Sequence, residues 1–169
     1  MKLYYCPEIP LSPDQYVDWA SIYPDDQYIS PQRATNTLIS RFNRAKLVAA
    51  TGDCNFLHGA LLMQGNRTLA VGINTYTTDI YATPPSSDKI MSTHAEVASL
   101  KLYAHTRVPN LSLYVARLSS SATMTWRNSV IQEPTTLPTP PPRALFSRPC
   151  RDCLEYLSTI STLKAVYYT

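Results

Sequence analysis

Two short stretches, far apart in the chain, make chemical sense only if the fold brings them together. The first is MSTHAEVASLK, residues 91–101, with His94, Ala95 and Glu96 at the start of a predicted helix. The second is SRPCRDCLEYL, residues 147–157, where Cys150 and Cys153 again open a helix. One imidazole and two thiolates form a three-ligand set for zinc, and a catalytic zinc keeps its fourth position for water. A structural zinc takes four protein ligands; His58 and His105 are the remaining imidazoles, and neither stands in a motif. The C-x-x-C does not follow the first strand of a thioredoxin-like pattern, which argues against redox chemistry. Glu96, two residues after His94, is near enough to take a proton from water while staying off the metal. A helix start also suits the sulfurs. Its exposed N–H groups and dipole favour thiolate, and Pro149 begins the turn without wasting a donor.

The remaining elements suit a single domain, and 169 residues can bury a real core. Residues 1–29 read as an N-terminal extension whose first eleven are irregular. Residues 12–23 predict a short helix, with Ser12 as N-cap and Pro13 at its first position. Tyr16, Trp19, Ala20 and Tyr23 share one face of it, suited to a lid packed on the core. Residues 30–52 predict the clearest helix, capped by Ser30, started by Pro31 and stopped near Gly52. Its apolar stripe is Ala34, Leu38, Phe42, Ala45 and Ala49, flanked by Ile39 and Val48. Arg33, Arg41, Arg44 and Lys46 fall mostly on its wet sides.

Residues 57–64, the Gly65-Asn66 pair and residues 67–76 read as a β-hairpin. A loop over 77–92 leads into a helix from Thr93 to about His105, with Val97, Leu100 and Leu102 apolar. LSLYVARL, 111–118, is a strand. Residues 119–147 form a Pro-rich insertion, because PTTLPTPPP at 134–142 cannot be regular structure. Within it, Trp126 and Phe146 can stack on a base. The second motif helix spans 150–160 with Leu154 and Leu157 toward the core, and 164–169 is a final strand. This alternation predicts an α/β fold: a three-layer α-β-α sandwich, one mixed sheet with helices on both faces.

No apolar run approaches the roughly 18 residues of a membrane span. The N-terminus MKLYYCPEIPLSPD lacks an apolar h-region, so an intracellular protein, cytoplasmic or nuclear and with no membrane partner, is expected. Cys6 and Cys54 are then thiols in a reducing compartment rather than a disulfide. The net charge of +3 is compatible with a polyanionic partner without demanding one.

The chain resembles the cytidine/deoxycytidylate deaminase superfamily, from about Ile39 to Thr169. The resemblance is carried by HGALLMQ-GN-RTLAVGIN, STHAEVASLKLY, LSLYVARL, SRPCRDCLEYL and LKAVYYT, with H-A-E and P-C-x-x-C as its core. It implies a cytidine-deaminase-like sheet and Zn2+ held by His94, Cys150 and Cys153, with Glu96 as proton shuttle. It also matches Asn74 to a position that contacts the sugar or phosphate; a residue that merely ends a strand is the other reading. Ala95, between the two motif residues, falls in the substrate-binding set. Three departures stand out. The first ligand implied is His94, not the Cys usual in free-cytidine deaminases, which leans toward the nucleotide and polynucleotide branches. Glu96 and Cys150 lie 150 − 96 = 54 positions apart, more than the family core needs. Family members usually carry a further helix and strand after the strand that ends this sequence, which puts in doubt what lies at that sheet edge.

The substrate implied is cytosine in single-stranded DNA or RNA, for which Arg148 beside Cys150, Tyr168 or Tyr167, and Trp126 are candidate contacts. Free dCMP or cytidine, adenosine in tRNA, and a non-catalytic zinc-stapled domain are the alternatives. A homo-oligomer is compatible with this architecture.

Overall fold

The computed structural model describes residues 1–52, 54, 56–77, 91–101, 103, 108–132 and 141–169. Its strands are β1 (Lys2–Tyr5), β2 (Gln27–Tyr28), β3 (Phe56–Gln64), β4 (Arg67–Ile73), β5 (Thr75–Thr77), β6 (Met91–Thr93), β7 (Leu111–Ser119) and β8 (Leu163–Tyr168). Its helices are α1 (Pro13–Ile22), α2 (Asn36–Ala49), α3 (Ala95–Leu100), α4 (Ser120–Gln132) and α5 (Arg151–Ser158). Six strands form one mixed sheet in the order β2-β1-β8-β7-β3-β4, and β5 pairs separately with β6. The β3–β4 and β3–β7 pairs are antiparallel; β7–β8, β8–β1 and β1–β2 are parallel. The fold is therefore the expected α/β class, with helices on both faces of a mixed sheet.

Period-two alternation sorts the strand residues between two cores. On one face Leu61, Met63, Tyr114 and Ala116 pack against Phe42 and Ala45 of α2. Across that face Tyr4, Tyr167 and Tyr114 stack in a row, with ring centroids 4.7 and 4.8 Å apart. On the other face Ala60, Leu62, Leu113, Val115, Val166 and Tyr168 pack with Trp19 of α1, Ala95 and Leu100 of α3, and Leu157 of α5. Both helices that carry the metal-ligand motifs thus share one face.

Several expectations need correcting. Residues 1–11 are not all irregular, because Lys2–Tyr5 is an inner strand. It pairs Lys2 with Ala165 through Tyr5 with Tyr168, beside β8. The helix expected over 30–52 starts later: Pro31–Arg33 is a separate 3-10 turn, and Thr35 caps α2 by accepting from Leu38 N at 3.2 Å. Lys46 is not on a wet side. It is buried and paired with Glu8. Ile39, placed beside the stripe, is exposed. Inside the expected insertion, Ser120–Gln132 is a helix, while residues 133–140, the bulk of PTTLPTPPP, lie outside the described residues. The loop expected over 77–92 ends in β6 at 91–93, and residues 78–90 lie outside the described residues. On α5, Leu157 is buried but Leu154 only partly so. The capping of α1 is as expected, with Ser12 Oγ accepting from Gln15 N and the Gln15 side chain accepting from Ser12 N.

Two glycines let the helices touch the sheet. A Cβ at Gly59 would stand 2.8 Å from Ala49 Cα and nearer still to backbone atoms of Ala45 and Ala49. A Cβ at Gly72 would stand 2.6 Å from Ser99 N and nearer still to Ala95 O. Both collisions are with helix backbone, which cannot rotate aside. Gly72→Ala is expected to cost about 1–3 kcal/mol, the range of core overpacking, and to weaken metal binding by displacing α3. Gly59→Ala is expected to cost a similar amount through α2 while sparing metal affinity. Urea midpoints together with zinc titration check the pair.

Candidate metal centre

Each ligand-bearing motif sits at a helix start because a non-helical residue precedes the first turn. His94 is the N-cap of α3 (φ −72°, ψ 149°) and Cys150 the N-cap of α5 (φ −67°, ψ 169°). Neither side chain caps its own helix, so both are left to point elsewhere. Cys153 lies in the first turn of α5 and is buried. The approach to Cys150 is anchored by Ser147. Its hydroxyl donates to Val115 O at 2.9 Å and accepts from Thr169 N at 2.9 Å. Leu145 N donates to Arg117 O at 2.7 Å, holding the same segment along β7.

The three ligand atoms all lie within 4.8 Å of one another. His94 Nδ1 is 3.2 Å from Cys153 Sγ and 3.5 Å from Cys150 Sγ. Among the described residues no other His, Cys, Asp or Glu joins this group, so His58 is not a fourth ligand here. His105 lies outside the described residues. The donor set fits zinc: two thiols and one imidazole nitrogen, borderline-soft ligands with a position to spare. The electrostatics agree. Burial, then the charge of Glu96 and the neighbouring Cys150, push the Cys153 thiol up. Such a convergence of acidic groups is what a divalent cation reverses.

Glu96, in the first turn of α3, is 2 % exposed, and its Oε2 is buried with no hydrogen-bond partner. Burial raises its pKa, against a smaller lowering by its own backbone N–H and by His94.

Beside His94 opens a cavity of about 320 Å³ lined by Phe56, His58, Asn74, His94 and Arg117. A second hollow of about 300 Å³ flanks the ligands on their other side, lined by Thr93, Val97, Asp152 and the three ligands. A larger cavity of about 560 Å³ lies under α2 on the opposite face, among Phe42, Leu38, Cys6 and the Lys46–Glu8 pair. Of the three candidate ligands, His94 lines both smaller cavities, while Cys150 and Cys153 line the hollow of about 300 Å³.

The other expected site residues are distributed unevenly. Ala95 is fully buried directly after His94. Asn74 lines the cavity, and its carboxamide also ties strands together: Oδ1 accepts from His58 N at 2.8 Å and Nδ2 donates to Phe56 O at 2.5 Å. Cys54 Sγ donates to Asn74 O at 3.2 Å.

Arg148, Tyr168 and Trp126 do not line either hollow beside the ligands. Arg148 is engaged by Asp26, with Nε 2.6 Å from Oδ2 and Nη2 3.2 Å from Oδ1, and its guanidinium lies 4.2 Å from the Tyr23 ring centroid. Tyr168 is 0 % exposed and donates to Asp26 Oδ2 at 2.7 Å. Trp126, on α4, packs against a small core of Ala49, Ala50, Leu57 and Leu118. Tyr167 lies in the tyrosine row on the far face, and Phe146 packs edge-on against Tyr5 and Tyr168.

Three cavity residues had no weight as substrate contacts in the sequence: Phe56, His58 and Arg117. His58 and Arg117 are cross-strand partners in the β3–β7 ladder. A lone Arg inside an apolar strand was the available signal for Arg117, but its neighbour follows only from register.

No known family description matches the sequence, and no curated protein matches it. Among solved structures, a dCMP deaminase from the cyanophage S-TIM5, in apo form, is similar at 16% identity and a TM-score of 0.44. That likeness covers 78% of this chain and 86% of that one.

Burial, then Arg117 and His94, lower the His58 pKa to about 4. The unfolded chain binds a proton at His58 as pH falls through about 6.5, while the folded one waits until about 4. Stability is therefore full above that window and lost on acidification through it, by up to about 3 kcal/mol. In zinc-stripped protein, His58→Asn is expected to flatten the dependence of the urea midpoint between pH 6.5 and 4.

Proposed function

We propose that the chain is a zinc-dependent hydrolase that deaminates cytosine to uracil. The observation that carries this reading is the buried, unpartnered Oε2 of Glu96 next to a three-ligand His/Cys/Cys set. A zinc that only stapled the domain would have no use for that carboxylate, and it would take a fourth protein ligand. When bound, zinc supplies Lewis acidity and lowers the pKa of water to about 7. The chain does the rest. Glu96 takes one proton of the attacking water at Oε2 and delivers it to the ring nitrogen as the C4–O bond forms. It then takes the second proton, from the new C4 hydroxyl, and delivers it to the amine as the C4–N bond breaks, leaving the uracil carbonyl and ammonia. Burial raises the proton affinity of Glu96, which suits it to carry a proton rather than a fixed charge. His58, with its pKa lowered to about 4, adds no positive charge to the cavity wall near neutral pH.

The choice of cytosine rests on the motif resemblance, H-A-E with P-C-x-x-C. A cavity of about 320 Å³ suits a single base and sugar. The base-stacking and backbone contacts first expected for a polynucleotide, from Trp126, Tyr168 and Arg148, are occupied elsewhere in the fold. A free cytosine nucleotide is accordingly the better supported substrate. Cytosine in single-stranded nucleic acid is the second reading, favoured by the 60 % exposure of Phe56 at the cavity wall.

The zinc-loaded protein should release ammonia from at least one of dCMP, deoxycytidine, a cytosine-containing oligonucleotide or a tRNA substrate, with mass spectrometry identifying the product. Glu96→Ala is expected to lower that rate by roughly 10²–10⁴-fold with zinc stoichiometry unchanged. Adenosine conversion with cytosine untouched would move the assignment to the adenosine branch. Retention of full activity by Glu96→Gln would sink the shuttle role.

A further inference from the structure

We propose that the guanidinium of Arg117 binds a phosphate of the substrate, so that the site selects nucleotides or nucleic acid over nucleosides. This rests on the reading of the cavity beside His94 as the deamination site.

Arg117 projects from β7 on the same face as the metal centre and lines the cavity with His94, His58, Asn74 and Phe56. Its guanidinium carbon lies 4.6 Å from the Phe56 ring centroid, so the planar group is held against an aromatic face. Stacking of this kind fixes the plane but leaves the N–H edges available to a ligand. The buried Nε has no hydrogen-bond partner, and among the described residues no carboxylate forms an ion pair with it. The contrast within the molecule is sharp. Arg148 is matched by Asp26, Arg151 by Glu155 and Lys46 by Glu8. Arg41 is spent on Tyr114, Gly65 and Asn66, and Arg127 on Gly52.

A guanidinium at the cavity wall whose buried Nε has no partner, and which no carboxylate among the described residues pairs with, suits an anion. Cytosine and its sugar carry no negative charge, whereas the phosphate of a nucleotide does. A forked guanidinium suits two phosphate oxygens better than one carbonyl. The phosphate can belong to a mononucleotide or to a strand backbone, and both present the same oxygens to Arg117.

The test compares kcat/KM for dCMP, deoxycytidine and a short single-stranded oligonucleotide, in wild type and in Arg117→Ala. The expected result is a wild-type preference for a phosphorylated substrate over deoxycytidine that falls at least tenfold in Arg117→Ala, and partial retention in Arg117→Lys. Whether dCMP or the oligonucleotide loses more identifies the source of the phosphate. An unchanged preference in a folded Arg117→Ala protein overturns the inference and leaves deamination intact. Should Arg117→Ala fail to fold, Arg117→Gln carries the same comparison. If no substrate is deaminated, the proposed activity falls, and calorimetric titration of dCMP into wild type and variant then decides the role of Arg117. Equal affinities reject it; tenfold weaker binding by the variant upholds it.

Discussion

Two helix starts separated by more than fifty residues meet here because both helices lie on one face of one sheet, at backbone contact distance. Gly72 sets that distance for α3. With no Cβ, β4 approaches Ala95 and Ser99 closely enough for the first turn of α3 to be fixed by the sheet itself. Ser147 does the corresponding work for α5, tying the segment before Cys150 to β7 and to the residue after β8. The ligands are side chains on rigid elements, whose positions follow from packing rather than from a loop's choice of conformation. Van der Waals contact between helix and strand backbones therefore determines whether three soft donors gather within 4.8 Å.

A second polar assembly supports the first from behind. Asp26 is 7 % exposed and is met by both Arg148 and the hydroxyl of Tyr168. The group links the loop after α1, the end of β8 and the segment two residues before Cys150. A buried carboxylate with a charged and a neutral donor is well satisfied, and its removal would leave the partly exposed guanidinium without its ion-pair partner. Arg148, adjacent to the metal motif in sequence, is thus directed away from it by geometry. Proximity along the chain and proximity in space part company at this residue.

What could be read from the sequence was what is encoded locally. The H-A-E and P-C-x-x-C motifs each lie within one turn, so their helix starts and the His/Cys/Cys group that they bring together were visible. The capping box at Ser12–Gln15 and the β3–β4 hairpin around Gly65-Asn66 were visible for the same reason. Elements defined by remote partners were not. LYY at residues 3–5 is too short to announce a strand, and only pairing with β8 makes it one. Lys46 looks like a surface cation until Glu8 arrives from another segment. The start of α2 was misplaced because Ser30-Pro31 opens a turn of its own, while Thr35 supplies the real cap. Ser120–Gln132 carries too many Ser and Thr residues to stand out as a helix. Arg117 and His58 become neighbours only through strand register, so the wall of the cavity was hidden even though the His/Cys/Cys group beside it was plain.

The placement of β1 bears on how the molecule assembles. Lys2–Tyr5 is synthesised well before one of its two strand partners, Leu163–Tyr168. The sheet cannot zip up in the order of synthesis. The β3–β4–β7 meander has mostly near partners and can nucleate early, while the β1–β8 seam must wait for the entire intervening chain and pay its loop-closure entropy late. Until then one edge of the tyrosine-rich β1 has no partner.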